Sequence, residues 1–203
     1  QLVRLPNIFT STSDILAGCI LATHAFIDIH KIILLVFISA CLYGGGIVFN
    51  DVFDITTDET ERPDRPLPSG NISKRDALYL GVILFLTALL CACLVNATSV
   101  CISIVIIALI MSYNTWTKTV PAIGTLNMGL CRFFNLILGL SIIPASISTY
   151  WMFPLILMIY VMLITALSKQ EVKGEQRWKI LFVIICFIGL VFFTGSLSVK
   201  GIL

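Results

Sequence analysis

The stretch Lys31-Ile-Ile-Leu-Leu-Val-Phe-Ile-Ser-Ala-Cys-Leu-Tyr-Gly-Gly-Gly-Ile-Val-Phe-Asn50-Asp51-Val-Phe-Asp54-Ile-Thr-Thr-Asp58 decides the fold. Nothing between Lys31 and Asp51 carries a charge, and the run matches the ~20 apolar residues that cross a bilayer as a helix. An open sheet in lipid would leave its backbone groups unpaired, and the continuous apolar run lacks the alternation of a transmembrane barrel. The stretch therefore reads as a membrane helix that ends in acid.

The same pattern recurs outward from it. With 58% hydrophobic residues in 203 and a mean hydropathy of +1.02, the chain is far more apolar than a soluble domain. Seven windows read as spans, at about 11–29, 31–50, 77–96, 98–115, 121–143, 150–168 and 179–198. The expectation is an all-α, integral membrane helical bundle forming one domain over residues 1–203. The chain begins with Gln1 and its last apolar run ends almost at Leu203, so a C-terminally truncated piece is expected. Polar residues Thr10 to Asp14 interrupt the first apolar segment, which does not read as a cleavable signal peptide.

Charge is distributed unevenly. Arg4, Arg62, Arg65, Lys74, Arg75, Lys118, Lys169, Lys173, Arg177 and Lys179 fall on loops that share one side, against Lys31 and Lys200 on the other. Lys/Arg bias sets orientation, so these loops, and the acidic block with them, are expected in the cytoplasm. The membrane is expected to be a bacterial inner membrane. The seven cysteines sit in apolar segments without metal-site spacing and read as small core residues. His24 and His30 read as interfacial, and nothing suggests a nucleic-acid surface.

If the helix continues past the membrane boundary, Asp51, Asp54 and Asp58 fall at i, i+3 and i+7 on one stripe, with Asn50 beside Asp54. Clustered hard oxygen ligands suit Mg²⁺ or Ca²⁺, and Mg²⁺ takes one or two carboxylates and completes its shell with water and phosphate oxygens. A diphosphate-binding arrangement follows. Glu59, Glu61 and Asp64 fall off the stripe and read as solvated partners of the nearby arginines. Gly44-Gly45-Gly46 allows either close packing or a kink.

Asn50-Asp-x-x-Asp54-x-x-x-Asp58, followed by Arg62-Pro-x-Arg65-Pro-Leu-Pro-Ser-Gly70, resembles the first signature of the UbiA superfamily of intramembrane prenyltransferases. Arg4-Leu-Pro-Asn7 and Ser13-Asp-Ile-Leu-Ala-Gly18 resemble that family's opening helix. The resemblance implies about seven transmembrane helices present of an expected nine. It also implies that Asn50, Asp51, Asp54 and Asp58 bind Mg²⁺ holding the diphosphate of an isoprenyl donor. Asn127-Met-Gly-Leu-Cys-Arg132-Phe-Phe-Asn135, with Leu167-Ser-Lys-Gln-Glu-Val-Lys-Gly174, is similar to the UbiA-like EboC group of some bacterial gene clusters.

Further residues complete the expected constellation. Glu171 and Glu175, one helical turn apart, stand where the family usually carries Asp-x-x-x-Asp; they read either as the second metal pair or as a solvated loop. Tyr113 and Lys118 resemble the family's Tyr-x-x-x-Lys with one extra residue between them. Lys118, Arg62, Arg65 and Tyr113 are candidates for holding the diphosphate, Lys118 being alternatively a snorkelling anchor. Arg132 is a charge inside an apolar span, which costs ~2.5–3.5 kcal/mol on insertion scales and faces a partner or cavity. With Asn127 and Asn135 it covers about 140° of one helix. Pairing with Asp14 and lining a donor or acceptor cavity are both open.

The expected function is Mg²⁺-dependent transfer of an isoprenyl group from its diphosphate to an aromatic or other lipophilic acceptor within the bilayer. Asp51, Asp54, Asp58 and Lys118 would be catalytic, with Asp51, Asp54, Asp58, Glu171 and Glu175 on the metal. Phe53, Tyr113 and Trp116 could face a carbocation. The alternative is a non-catalytic membrane protein of this family, acting as a scaffold or carrier in lipid or pigment metabolism.

Overall fold

The computed structural model describes residues 5–24 and 28–171. They form α1 (Leu5–Thr23), α2 (Ile29–Phe53), α3 (Ile55–Glu61), α4 (Lys74–Val95), α5 (Ala97–Thr115), a 3₁₀ turn (Thr117–Thr119), α6 (Pro121–Leu140), α7 (Ser146–Tyr150) and α8 (Met152–Glu171). No strand occurs among them. Six of the seven expected spans are present as helices, and the seventh, at 179–198, lies outside the described residues. Four helices (α2, α4, α5 and α6) are long and apolar enough to cross a membrane. The chain is an integral membrane protein.

Helix boundaries follow local chemistry. Asp28 accepts from the Lys31 N–H (3.3 Å) and starts α2; Ser73 accepts from the Asp76 N–H (3.1 Å) and starts α4. Both satisfy amides that a helix start leaves open. Asn96 closes α4 and caps α5 through Ser99 N–H (2.8 Å), while its Nδ2 donates to the Ser141 carbonyl (2.7 Å) and ties this turn to the end of α6. Pro121 occupies the first turn of α6, where its missing N–H costs nothing.

Helices α2 and α6 are the interior of the bundle, each with 56% of its apolar window buried, against 22% for α4 and 28% for α5. Val82, Ile83, Leu86, Leu90 and Leu94 form an exposed apolar face on α4. Two crossings depend on the absence of a Cβ. A Cβ on Gly18 would lie 2.6 Å from the Leu136 carbonyl oxygen, and one on Gly139 would lie 2.5 Å from that of Ile15, so α1 and α6 meet backbone to backbone. Gly45 receives the ring of Phe85 and Gly81 that of Phe49, and the two rings stack at 5.1 Å. Close packing, rather than a kink, is thus what Gly45 provides, and α2 runs unbroken through the glycines.

Candidate functional site at the end of helix α2

The acidic helix breaks once. Asp54 leaves helical geometry (φ −94°, ψ 6°) between α2 and α3, although its N–H still reaches Asn50 O (2.9 Å) and its carbonyl still accepts from Asp58 N–H (2.8 Å). The expected single stripe is therefore bent at its middle carboxylate. Asp51 and Asp58 are buried and both face the same nitrogen, Nη1 of Arg65, at 3.4 Å from Asp51 Oδ1 and in close contact with Asp58 Oδ2. Asp54, more open, takes the ammonium of Lys118.

Arg65 is delivered by the loop after α3. Leu67 is buried with Val48, Val52 and Ala77, pinning the loop onto α2 and α4, and the Ile72 N–H closes it on Pro66 O (3.1 Å). Gly70 turns it at φ +75°, a left-handed conformation that suits glycine. Arg62 is exposed, and its side chain has no partner among the described residues. Glu59, Glu61 and Asp64 are exposed too, but none pairs with an arginine among the described residues, contrary to expectation. Arg65, next to Asp64 in the chain, pairs with the buried aspartates instead.

Lys118 is delivered by the 3₁₀ turn. Asn127 on α6 donates to Ser112 Oγ (2.8 Å) and Thr117 Oγ1 (3.1 Å), bracing the turn from below. A Cβ on Gly124 would lie 3.0 Å from the Thr117 carbonyl, so α6 approaches this turn closely. Asn127, expected on a cavity wall, is bonded to the turn that carries Lys118. Helix angle alone groups this amide with Arg132 and Asn135 and says nothing about the turn folded against it.

Beneath the acidic block lies a cavity of about 430 Å³ between α1, α2, α5, α6 and α8. Asn50, Tyr113 and Asn114 line it with Leu42, Ile47, Ile106, Ile110 and Met128. Phe53 and Trp116 are exposed and do not line it, leaving Tyr113 as the aromatic side chain of the expected trio that does. Arg132, Asn135 and Ser39 also line it, about 16 Å along α6 from Pro121 for Arg132.

There, Arg132 pairs with Asp14 and also lines the cavity. Its Nη2 donates to Asp14 Oδ1 (2.9 Å) and Thr10 O (2.9 Å) while the residue faces the cavity. Asn135 donates to Ser11 O (2.7 Å) and Asp14 Oδ2 (3.2 Å), and accepts from Ser39 (2.8 Å). This network joins α1, α2 and α6 in the apolar core.

Among the described residues, no group of three His, Cys, Asp or Glu side chains is gathered tightly enough to hold a metal ion as it stands. The donor set nevertheless fits Mg²⁺: hard oxygens only, with two buried carboxylates already converging on one cationic nitrogen. Glu171 ends α8, but its side chain, and Glu175 entirely, lie outside the described residues.

Residues 13–177 match the model of the UbiA prenyltransferase family. The chain is similar to digeranylgeranylglyceryl phosphate synthases of Sulfurisphaera tokodaii, at 30% identity over 88% of this chain and 63% of that protein, and Saccharolobus solfataricus, at 26% over 88% and 62%. It thus spans under two thirds of the length of these relatives. Among solved structures, one from work on digeranylgeranylglyceryl phosphate synthase in membranes superposes with a TM-score of 0.74 at 22% identity, covering 99% of this chain and 76% of that one. A UbiA homolog from Aeropyrum pernix K1 superposes at 0.70 and 15% identity, covering 98% and 90%. These two likenesses show a shared fold.

Proposed function

This chain belongs to the UbiA prenyltransferase family, and from that premise we propose that it transfers an isoprenyl group from its diphosphate to a lipophilic acceptor within the membrane. The observation that carries the proposal is the pairing of two cations, Arg65 and Lys118, with three aspartates at the head of a largely apolar cavity. Such a head suits a diphosphate with its counter-cation, and such a cavity suits a hydrocarbon tail.

Asn50, Asp51, Asp54 and Asp58 would hold Mg²⁺, which when bound neutralises diphosphate charge. Arg65 and Lys118, relieved of part of their present pairing, donate to diphosphate oxygens. As the allylic C–O bond breaks, negative charge builds on the leaving diphosphate, and preplaced donors stabilise it most at that moment. Asn127 keeps Lys118 in register through the turn it braces. Tyr113, with the apolar wall below it, shields the allylic cation from water, which would otherwise capture it. Glu171 and Glu175 are proposed to complete the metal set, and Arg62 to meet the diphosphate from the exposed loop.

The acidic head is proposed to face the cytoplasm, since Arg62, Arg65, Lys74, Arg75 and Lys118 cluster at that end. The relatives named above are archaeal, and they lend no support to a bacterial membrane. The test is binding of geranylgeranyl diphosphate to the purified protein with and without Mg²⁺. Binding is expected to need the metal and to fall at least tenfold in Asp54→Ala. Metal-independent binding, or an unchanged variant, would return the chain to a scaffold or carrier role.

A further inference from the structure

One nitrogen balances the charge of the acidic head. Nη1 of Arg65 lies 3.4 Å from Asp51 Oδ1 and in close contact with Asp58 Oδ2, so a single guanidinium bridges both carboxylates. The three side chains are withdrawn from solvent, at 19% exposed for Arg65, 8% for Asp51 and 7% for Asp58. Two carboxylates so placed repel each other unless a cation joins them. Arg65 is that cation, and the oxygens it holds are the hard ligands that suit Mg²⁺.

The backbone of Arg65 is held where it is. Its N–H donates to the Arg62 carbonyl (3.1 Å), its carbonyl accepts from the Ser69 N–H (2.9 Å), and Pro66 after it has a fixed φ. Leu67, buried against α2 and α4, pins the same loop. Only the side chain is left to move. A divalent ion taking Asp51 and Asp58 would strand the guanidinium beside a second cation, and a partly buried charge that loses its partner is costly. A diphosphate removes that cost, because the planar fork pairs with phosphate oxygens as well as with carboxylate.

We propose that Arg65 guards the metal ligands: it holds Asp51 and Asp58 until a diphosphate gives it another partner, so that metal and diphosphate load together and metal alone binds weakly. The inference rests on the prenyl-transfer reading, which supplies the diphosphate, and adds to it a coupling between the two ligands. That coupling is reciprocal, since the factor by which diphosphate tightens the metal is the factor by which metal tightens the diphosphate. Lys118 pairs with the more open Asp54, where water takes up part of the loss, so the guard is assigned to Arg65.

The experiment titrates the full chain in nanodiscs of zwitterionic lipid with Mn²⁺, whose electron paramagnetic resonance signal reports the free ion. Titrations run with and without geranylgeranyl S-thiolodiphosphate, an unreactive diphosphate, and are corrected for Mn²⁺ held by protein-free discs and analogue. The wild type is expected to bind Mn²⁺ at least about tenfold more tightly with the analogue than without it. Arg65→Gln is expected to bind Mn²⁺ alone at least about fivefold more tightly than the wild type does, and to lose most of the enhancement by the analogue. Its gain in metal affinity also reports that it is folded. Lys74→Gln, which removes a positive charge outside the pairing, is expected to stay within about twofold of the wild type. If the glutamine variant does not fold, Arg65→Lys replaces it; its single ammonium lacks the fork, and Mn²⁺ alone is expected to bind at least about twofold more tightly. An analogue that binds without changing Mn²⁺ affinity, a folded Arg65 variant with unchanged affinity for Mn²⁺ alone, or an equal gain in Lys74→Gln would overturn the guard and leave the prenyl-transfer reading standing. A wild type that binds no analogue, with or without Mn²⁺, would overturn that reading and the coupling with it.

Discussion

Lys118 forms an ion pair with Asp54, 64 residues earlier in the chain. The pair closes the gap between the 3₁₀ turn and the break in the acidic helix, so the most open carboxylate of the block meets a cation that no local sequence rule would bring there. Lys118→Ala is expected to lower prenyl transfer about 10²-fold, the scale for removing one preplaced donor to a developing anion. Its thermal stability should change by less than about 1 kcal/mol, because the pair is partly solvated. Product formation from geranylgeranyl diphosphate with a membrane lipid extract, alongside a melting curve, checks both.

Asn127→Ala removes both bonds that hold the lysine's turn. Transfer is expected to fall by about tenfold, less than for Lys118→Ala, since the lysine stays but its position spreads. In the double variant the losses should not add, because Asn127 acts through Lys118. Additive losses would show that Asn127 has a separate role.

Asp14 and Arg132 form a pair inside the bundle. Removing one partner leaves the other charge uncompensated, so Asp14→Leu or Arg132→Met alone is expected to destabilise by about 3 kcal/mol. The double change should recover much of that. Denaturation in mixed micelles measures all three, and a double variant no better than the singles would show that the network with Ser11, Ser39 and Asn135 matters more than the ion pair.

Gly18→Ala should lower stability, although alanine normally favours a helix over glycine by about 1 kcal/mol. Its methyl would meet the backbone of α6, with Leu136 O at 2.6 Å and Leu140 N at 2.8 Å, and backbone cannot step aside as a side chain can. An increase in melting temperature would mean that α1 and α6 do not cross here at this distance.

Much of the fold is legible in the sequence. The apolar runs had one physical solution in lipid, so the helices follow from them. The acidic block with its Arg-Pro repeat is legible as clustered charge, though the bend at Asp54, which sends Asp54 to Lys118 and leaves Asp51 and Asp58 with Arg65, is not. Arg132 was legible as a charge in need of a partner, and Asp14 supplied it. The bonds of Asn127 to Ser112 and Thr117 are not legible, because helical periodicity states which way a side chain points and not what is folded there.

By itself the sequence determined that the chain lives in a bilayer as helices, and that three aspartates at helical spacing follow one apolar run. Both are consequences of local patterning, set by bilayer thickness and by 3.6 residues per turn. The tertiary structure decided which cation attends which carboxylate: Arg65 for Asp51 and Asp58, Lys118 for Asp54. It alone decided, too, that an amide on α5 is buried against α2 with its oxygen unmet. Ion pairing and burial depend on distances between segments remote in the chain, and those are set by how helices pack.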